Sequence, residues 1–476
     1  MSQDLSAREA AEAAQPDGAV LVGEGVHTPI SDTYRSYILV VMTLVYVINY
    51  LDRQIFGILV PGIKAEFNLS DTQIGVLAGP AFAIVYATLG IPLAMVADRA
   101  NRRNIIALAL TIFSVMTVFC GRAMSFGQLA LARFGTGIGE AGTGPSINSI
   151  LADLYPPEKR ASALAFYSAG LNVGLLVAFV SGGWLMQHYG WRNAFLAAGI
   201  PGIFVAILVL LTVREPQRGL VEKLKDPKAT PDILTVAAYL WSQRSFRWMA
   251  IGTSFSSFGG YAGIAFVPQF LMKSHHLTPT EVGFFLAFLT GIFGAIGTYM
   301  SGFFADKYGA RDVRANLYVP IVATFISVIF VPIYFLTPAE GTPFILKFLP
   351  AVVNVHLPWG SVFTAGAGTV VVLASAAGPS LLGASFVGPA YSLAQGLVPL
   401  RMRAQSIAIL LFVLNILGLS FGPLVTGMVA DALKPAFGAD SLRYALMTGI
   451  VTGLIGAFCY WRATKTLKAD LARVER

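Results

Sequence analysis

Four ionisable residues lie inside long apolar stretches of this chain, where a charge is expensive. Asp52 and Arg53 occupy the middle of the segment YILVVMTLVYVINYLDRQIFGILV. Arg133 and Glu140 lie in ARFGTGIGEAGTGPS. A single Asp or Arg at the centre of a membrane helix costs about 2.5–3.5 kcal/mol on insertion scales, and such residues usually face a partner or a water-filled path. The four charges sum to zero, so they are able to neutralise one another.

Helix geometry indicates which of these charges can meet. Arg133 and Glu140 are seven residues apart, which places them on nearly the same face of an α-helix, about 10 Å apart along its axis. A rise of about 1.5 Å per residue from the outer helix ends puts Arg53 at a depth between the two. An Arg53–Glu140 ion pair is therefore within reach. Asp52 points about 100° away from Arg53, so we expect it to orient Arg53 or Arg133 from the side.

These charges are compatible with two roles. A carboxyl group in a membrane helix beside a mobile cation has a pKa that depends on its solvation and on the distance to that cation. If access to Glu140 alternates between the two sides of the membrane, Glu140 can bind a proton on one side and release it on the other, with Arg53 and Asp52 taking part in the coupling. The alternative is that the charges only neutralise one another and hold the first helix to the fourth.

The composition identifies the elements that must position these charges. The 476 residues are 55% hydrophobic and only 12% charged, whereas soluble domains contain about 25% charged residues. The sequence therefore predicts an all-α integral membrane protein. Apolar segments long enough to cross a bilayer predict twelve spans, at 36–62, 71–97, 104–121, 127–152, 160–186, 191–213, 247–272, 281–305, 313–336, 361–394, 403–429 and 441–463.

The one long polar stretch in the interior divides six spans from six. The predicted units are a disordered cytoplasmic tail at 1–33, an N-terminal six-helix half at 34–213, a cytoplasmic linker at 214–246, a C-terminal six-helix half at 247–463 and a cytoplasmic tail at 464–476. A Pro-rich external insertion is predicted near 337–360, within the second half.

The distribution of positive charge predicts the orientation of the chain. Seventeen Lys and Arg residues fall in loops on the side of the N-terminus, against seven in the opposite loops. By the positive-inside rule both termini lie in the cytoplasm. The net charge of +8 is thereby explained without a nucleic-acid partner. We expect a multi-pass, monomeric protein of the bacterial inner membrane.

An internal repeat relates the two halves. ADRANRR follows the second span and ADKYGAR follows the eighth, at an offset of 208 residues. An Asp at a helix end that holds cations of its own loop can act as a cytoplasmic latch between rocking halves; the alternative is that these cations only anchor the helices at the headgroups. The predicted latch residues are Asp98, Arg99, Arg102 and Arg103 in the first half, and Asp306, Lys307 and Arg311 in the second.

After residue 33 the chain resembles the major facilitator superfamily over nearly its whole length. The loop motif of that family, G-x-x-x-D-R/K-x-G-x-R-R/K, is matched in the second half by Gly302, Asp306, Lys307, Gly309 and Arg311. In the first half Ala94 and Asn101 replace the two glycines. The resemblance implies two pseudo-symmetric six-helix halves that alternate access to a central cavity lined by helices 1, 4, 7 and 10.

A narrower resemblance rests on the buried charges. The Asp-Arg pair in the first span, followed by R-F-x-x-G-x-G-E-A in the fourth, is similar to the spinster branch of the superfamily. That branch is associated with the export of sphingolipids and lysolipids and with proton-coupled transport. The resemblance implies that Arg53, Arg133 and Glu140 serve proton coupling and headgroup binding.

Polar and aromatic residues of two further spans are candidates for substrate contact. Tyr261, Ser257 and Phe258 lie in a glycine-rich seventh span, and Tyr391 and Gln395 lie in the tenth. A lysolipid needs a polar spot for its headgroup and an apolar path for its tail, and these residues offer both. The alternative is that they form packing surfaces, as glycine and aromatic residues in membrane helices usually do.

Several other functions are not supported by the sequence. GIGEAG fits the dinucleotide fingerprint but lies inside an apolar span with no preceding strand. Neither a phosphate-binding G-x-x-x-x-G-K-[ST] nor H-E-x-x-H occurs, so we predict no cofactor, no metal and no enzymatic activity. The expected partners are an amphiphilic or anionic small molecule, protons and membrane lipid. The open alternatives are a carrier of small organic anions or drugs, and a receptor or scaffold that does not transport.

Overall fold

A computed structural model gives the fold, and it describes residues 31–97, 99–216, 232–342, 344–356 and 362–474. The predicted tail at 1–33 lies mostly outside these residues, as does the middle of the predicted linker. Within the described residues the spans are helical except at the start of the tenth, and the predicted all-α architecture of twelve membrane helices in two halves is confirmed. In the text, "cytoplasmic end" means the end to which the distribution of Lys and Arg assigns the termini, and "external end" the other.

The N-terminal half contains α1 to α6. Gly190 has φ 77°, a left-handed conformation that favours glycine, and there the chain leaves α5 and enters α6 without a loop. The helices are α1 (Asp32–Phe67), α2 (Asp71–Ala78 and Pro80–Ala97), α3 (Arg102–Arg122), α4 (Phe126–Ala141 and Thr143–Leu154), and α5 (157–189) and α6 (191–212), which are parts of one continuous segment, Pro157–Thr212.

The C-terminal half contains α7 to α12, preceded by the short helix Ile233–Ser242 and followed by Leu467–Val474. Two of its helices contain a π-helical segment, a feature frequently found at functional sites. The helices are α7 (Arg244–Ser274), α8 (Pro279–Phe288, π-helical Leu289–Phe293, Gly294–Gly309), α9 (Ala315–Leu336), α10 (Ala367–Ser375, Ala377–Leu382, Val387–Gly396), α11 (Arg403–Leu414, π-helical Asn415–Ser420, Phe421–Phe437) and α12 (Ser441–Leu446, Thr448–Thr464).

Local hydrogen bonds repeat the 208-residue offset found in the sequence. The Ser70 hydroxyl accepts from the Gln73 backbone N–H at 3.1 Å, and the Gln73 side chain accepts from the Ser70 N–H at 2.9 Å. This capping box opens α2. Thr278 and Glu281 form the same reciprocal pair at the start of α8, with distances of 3.3 and 2.8 Å. The two halves therefore begin their second helices in the same way.

The insertion after α9 extends further than the sequence predicts. Strands β1 (Val352–His356) and β2 (Val362–Gly366) pair antiparallel, with Val352 opposite Gly366. The predicted tenth span starts at 361, but α10 starts only at Ala367 because the apolar run of β2 is used in this hairpin. Apolar periodicity alone does not distinguish such a short strand from the end of a helix.

The two halves pack against each other at the external end. One buried cluster there joins both halves, and it includes Leu59, Ile74, Phe179, Phe270 and Val282. At the cytoplasmic end each half has a core of its own. Glycines permit the external contact, because a Cβ on Gly57, Gly75, Gly183 or Gly283 would collide with backbone of the opposite half. The cavity between the halves is thus closed on the external side.

Candidate functional site

The first and fourth helices bring two buried charges together. Arg53 of α1 donates from Nε to Glu140 Oε2 of α4 at 3.2 Å, and its terminal nitrogen forms a second bond to Glu140 Oε1. The two side chains are only 11% and 6% exposed. This bidentate geometry is the strong form of an Arg–carboxylate pair. The structure therefore contains the ion pair that helix geometry made reachable.

Aromatic rings surround both arginines of the site. The Arg53 guanidinium lies 4.9–5.2 Å from the ring centres of Tyr50, Phe82 and Tyr86. The Arg133 guanidinium lies 4.6 Å from Phe56 and 5.3 Å from the same Phe82. Cations over aromatic faces are stabilised by the ring quadrupole, the more so where water is excluded.

Arg133 differs from Arg53 in having no carboxylate partner within the described part of the chain. Its side chain donates from Nε to the Leu77 carbonyl at 3.3 Å, and the residue is 4% exposed. A buried cation held only by a carbonyl and by rings retains donors for an anionic ligand. Arg133 is therefore the residue of the site best suited to bind a negatively charged group.

Asp52 forms no hydrogen bond or ion pair with Arg53 or Arg133 among the described residues, so its orienting role stays a prediction. Its Oδ2 accepts a hydrogen bond from Thr117 Oγ1 of α3 at 2.9 Å, and the residue is 2% exposed. The offset of about 100° from Arg53 turns Asp52 away from the cavity and into the interior of the N-terminal half. Its Oδ1 is buried without a hydrogen-bond partner among the described residues.

Two polar residues that the sequence analysis did not single out support Glu140. Asn49 Nδ2 of α1 donates to Thr143 Oγ1 at 2.9 Å, and that hydroxyl donates to the Glu140 carbonyl at 2.9 Å. Thr143 begins the second segment of α4, next to the break at Gly142. The signal available in the sequence was spacing, since Asn49 precedes Arg53 by four residues and Thr143 follows Glu140 by three.

A small cavity adjoins the arginines at the interface of the two halves. Its volume is about 30 Å³, and its lining includes Arg53, Arg133, Tyr261, Ile264 and Leu419. Tyr261 is thus the seventh-span candidate that the structure places beside the charges. Leu419 belongs to the π-helical segment of α11.

The other predicted substrate contacts occupy different positions. Ser257 Oγ donates to the Ser254 carbonyl at 2.8 Å, and Ser257 packs against Gly418 of α11. Phe258 is buried, with its backbone against Gly422 of the same helix. In this conformation both residues serve helix packing, because they lie on the face of α7 that contacts α11, and their contact with substrate stays a prediction.

The two candidates of the tenth span are less deeply buried. Tyr391 packs at the edge of the core of the C-terminal half and is close enough to Tyr261 to interact with it electrostatically. Gln395 is half-buried one turn further along α10. Neither lines the small cavity.

A second and larger cavity lies within the C-terminal half. Its volume is about 300 Å³, and its wall is formed by α7 to α10 and α12 together with Phe179 of α5. Most of the wall is apolar, as with Leu289, Val328, Val331 and Phe335. Ile264 of α7 lines both cavities, so a single helix separates the charged cavity from the apolar one.

At the cytoplasmic end, Arg102 is held inside the N-terminal half. It is completely buried and pairs with Asp153 at the end of α4. Its Nε donates to Glu215 at 2.7 Å, and its terminal nitrogens donate to Ser149 Oγ at 2.8 Å and to the Pro216 carbonyl at 2.9 Å. These contacts tie α3 and α4 to the segment after α6.

The other predicted latch residues form no ion pair with one another where the structure describes them. Asp98 lies outside the described residues, and Arg99 and Arg103 are at the surface, where the Arg103 backbone N–H donates to Glu215 at 2.9 Å. Asp306, Lys307 and Arg311 are exposed, and none of them forms an ion pair with another described residue. A latch between halves that are apart at this end has no partner to close on, so the latch stays a prediction for the opposite conformation.

An ion-paired cluster at the cytoplasmic end of the second half lies just beyond its motif. Asp312 pairs with Arg314 at 2.8 Å and with Lys468 at 3.3 Å. Hydrogen bonds from Arg314 hold the pKa of the Asp312 carboxyl below its usual range. This cluster ties the loop after α8 to the C-terminal helix Leu467–Val474.

Replacing Arg102 should destabilise the N-terminal half more than replacing its neighbour. Arg102→Ala leaves Asp153 and Glu215 without their buried cation, and we expect a loss of about 2 kcal/mol, the size of a lost hydrogen bond to a charged group. Arg103→Ala, which removes a partly exposed side chain, should change stability by under about 0.5 kcal/mol. Thermal unfolding of both variants in lipid nanodiscs measures the difference, and equal melting temperatures would contradict this role for Arg102.

Two six-helix halves, closed at one end over buried charges, define a secondary transporter rather than an enzyme. The comparisons with known proteins identify the family. The family model of the Major Facilitator Superfamily matches residues 42–381, and the chain belongs to this superfamily. An "MFS-type efflux pump" of Mycolicibacterium smegmatis is 33% identical over 441 residues, which cover 92% of this chain and 94% of that protein.

Spinster proteins are among the similar chains, in agreement with the motifs of α1 and α4. The crystal structure of a bacterial homologue of the human lysosomal transporter spinster, in an inward-facing and unoccupied conformation, matches with a TM-score of 0.78. It is 31% identical and covers 93% of this chain and 99% of its own. "Protein spinster homolog 1" of Xenopus laevis is 24% identical, covering 95% of this chain and 85% of that protein. The closed external end found above agrees with an inward-facing arrangement.

Proposed function

We propose that the protein is a proton-coupled carrier of an amphiphile with an anionic headgroup, such as a lysolipid or a sphingolipid. One observation supports this substrate class above others: a cavity lined by Arg53 and Arg133 adjoins a larger apolar cavity across a single residue, Ile264. Binding sites usually join an apolar wall with a few convergent polar groups. The headgroup would contact Arg133, and the tail would enter the C-terminal half past Ile264.

Proton coupling is proposed for the Arg53–Glu140 pair, with Asp52 as a second buried carboxyl group of the same helix. A substrate anion that approaches Arg53 competes with Glu140 for the guanidinium. Glu140 then needs a proton to stay neutral in a buried place, because an unpaired buried charge is costly. Exchange of one partner for a proton would link substrate binding to the change of access.

The runner-up is a carrier of small organic anions or drugs. The "cis,cis-muconate transport protein" of Acinetobacter baylyi is 29% identical over 300 residues, covering 60% of this chain and 71% of that protein. In this chain the two arginines that line the small cavity would suit a carboxylate as ligand. Such a carrier needs no apolar cavity, so filling that cavity should not affect it.

A third possible function, from a different class of protein, is that of a membrane receptor or scaffold that does not transport. Membership of the superfamily weighs against it, and it predicts that substitution of Glu140 leaves activity unchanged. We further propose that the protein is a monomer of the bacterial inner membrane with both termini in the cytoplasm, as the excess of Lys and Arg in the loops on that side indicates.

Filling the apolar cavity should impair transport of long-chain substrates selectively. A Cβ added at Gly260 of α7 meets no atom within 4 Å, and Gly260 lines the cavity, so Gly260→Leu should fold and occupy tail space. We expect uptake of a lysolipid with a long acyl chain to fall about tenfold, which corresponds to roughly two lost methylene contacts. Uptake of a short-chain analogue should change little.

A matched control is available in α8. Gly294 also has open space around its Cβ position, but it does not line the cavity, so Gly294→Leu tests the loss of a helical glycine alone. Equal loss of short- and long-chain uptake in Gly260→Leu would contradict the proposed tail site. Unchanged uptake of both would favour the small-anion carrier.

A further inference from the structure

A cluster of four charged residues joins the two halves at their external end. Lys64 ends α1 and Asp71 begins α2 in the N-terminal half, whereas Asp431 and Lys434 belong to the last turns of α11 in the C-terminal half. The transport site does not include these residues. We refer to Lys64, Asp71, Asp431 and Lys434 as the external clasp.

Asp431 caps a helix that belongs to the other half of the protein. Its carboxylate accepts hydrogen bonds from the backbone N–H groups of Asp71 and Thr72 at 3.1 and 2.7 Å, and from the Thr72 hydroxyl at 2.6 Å. The first N–H groups of a helix have no partner within the helix itself. A carboxylate at that position is also favoured by the helix dipole. Ser70 satisfies the Gln73 N–H within the same half, but the N–H groups of Asp71 and Thr72 are bound by Asp431 only while α11 is docked against α2.

Asp71 is the second centre of the clasp. Its side chain is 3% exposed and lies 3.1 Å from Lys434 Nζ across the interface. Lys64 of its own half forms an ion pair with it as well, and Gln269 Nε2 of α7 donates to it at 3.3 Å. Lys434 also contacts Asp431 at 2.5 Å, so positive and negative groups alternate through the cluster.

The backbone fixes the register of this contact. A Cβ on Gly427 of α11 would collide with the Asp71 carbonyl, so α11 approaches the start of α2 as closely as backbone allows. Gly427 precedes Asp431 by one helical turn. Close approach and capping thus come from the same face of α11.

We infer that the external clasp holds the external gate shut and that opening to the outside requires uncapping of α2. Separation of the halves would expose two backbone N–H groups and break the ion pair between Asp71 and Lys434. Water would have to replace Asp431 at the two N–H groups, and Lys64 would have to replace Lys434 as the cation beside Asp71. This exchange sets a barrier to outward opening that does not depend on the identity of the substrate. The clasp is thus the external counterpart of the latch predicted for the cytoplasmic end.

Distances between spin labels on the two halves test this inference. The native cysteines, Cys120 and Cys459, are both buried, and after their replacement labels are attached through Met124→Cys and Ala439→Cys. Met124 is 74% exposed between α3 and α4, and Ala439 is exposed after α11. Double electron–electron resonance in lipid nanodiscs then reports the external separation of the halves.

Asp431→Ala should add a population with a longer distance, raising its ratio to the short-distance population about tenfold, the size expected for loss of a helix cap together with its charge. Thr72→Val removes one hydroxyl donor to Asp431 without changing any charge, and it should give a smaller shift in the same direction. This second variant tests the clasp even if the Asp431→Ala protein does not fold. Glu66→Gln is the matched control, because Glu66 pairs with Arg192 at 2.6 Å at the same end but within one half. Unchanged distances in both clasp variants, or an equal shift in Glu66→Gln, would overturn the inference.

Discussion

Glu140→Gln is expected to abolish uptake driven by a pH gradient while substrate exchange across the membrane continues. Glutamine has nearly the same shape as glutamate, and its carbonyl oxygen still accepts a hydrogen bond from Arg53, but it cannot bind and release a proton. Uptake down a proton gradient should therefore fall to the level of protein-free liposomes. Exchange of labelled for unlabelled substrate needs no net proton movement, so it should persist.

The measurement uses proteoliposomes with an imposed pH gradient, and exchange is followed without a gradient in the same preparation. Glu66→Gln is again the appropriate control, because it also neutralises a glutamate paired with an arginine, but at the external surface. It should behave like the natural chain. Gradient-driven uptake that survives in Glu140→Gln would exclude Glu140 as the coupling residue, and absence of any uptake in the natural chain would favour the receptor alternative.

Arg53→Met should destabilise the protein strongly, and a second substitution should restore much of the loss. Removing one partner of a buried ion pair costs about 3–5 kcal/mol, because the remaining charge is left without compensation. Met fills the space between Tyr50, Phe82 and Tyr86, so the loss arises from charge more than from packing. The double variant Arg53→Met/Glu140→Gln has no unpaired charge and should recover more than half of the stability.

Melting temperatures of the single and double variants in lipid nanodiscs test this coupling as a double-mutant cycle. The loss in Arg53→Met should grow as the pH rises, because protonation neutralises an unpaired buried carboxyl group at low pH. A double variant no more stable than Arg53→Met would mean that the pair contributes little to the fold. The charges would then have to be explained by substrate binding alone.

The sequence predicted the Arg53–Glu140 pair because regular helices convert residue spacing into depth and direction. The same reasoning placed Asp52 on a different face, but it did not predict the partner, since the hydroxyl of Thr117 comes from a helix 65 residues away. Positions on one helix are set by local geometry. Contacts between helices depend on how the helices pack, which periodicity does not determine.

For the same reason, residue spacing along single helices predicts neither the external clasp nor the apolar cavity. Asp71 and Asp431 are separated by 360 residues, and each taken alone resembles an ordinary loop charge. The cavity wall comes from six helices of both halves, and no motif marks it.

His275 is a comparable case among the histidines. It follows the last residue of α7, yet it is only 4% exposed. Its Nδ1 lies 3.1 Å from Thr369 Oγ1. Burial lowers the pKa of His275 to about 4, and residue spacing along one helix does not indicate this burial.

Proton movement caused by the substrate itself is the most direct test of proton-coupled lipid transport by this protein. The natural chain is reconstituted in liposomes that contain a pH-sensitive dye, and a lysophospholipid, its water-soluble headgroup or a small dicarboxylate is added without a gradient. We expect a change of internal pH with the lysophospholipid, none with the headgroup or the dicarboxylate, and none in Glu140→Gln. Proton movement with the dicarboxylate alone, or an equal change in Glu140→Gln, would contradict proton-coupled lipid transport through Glu140.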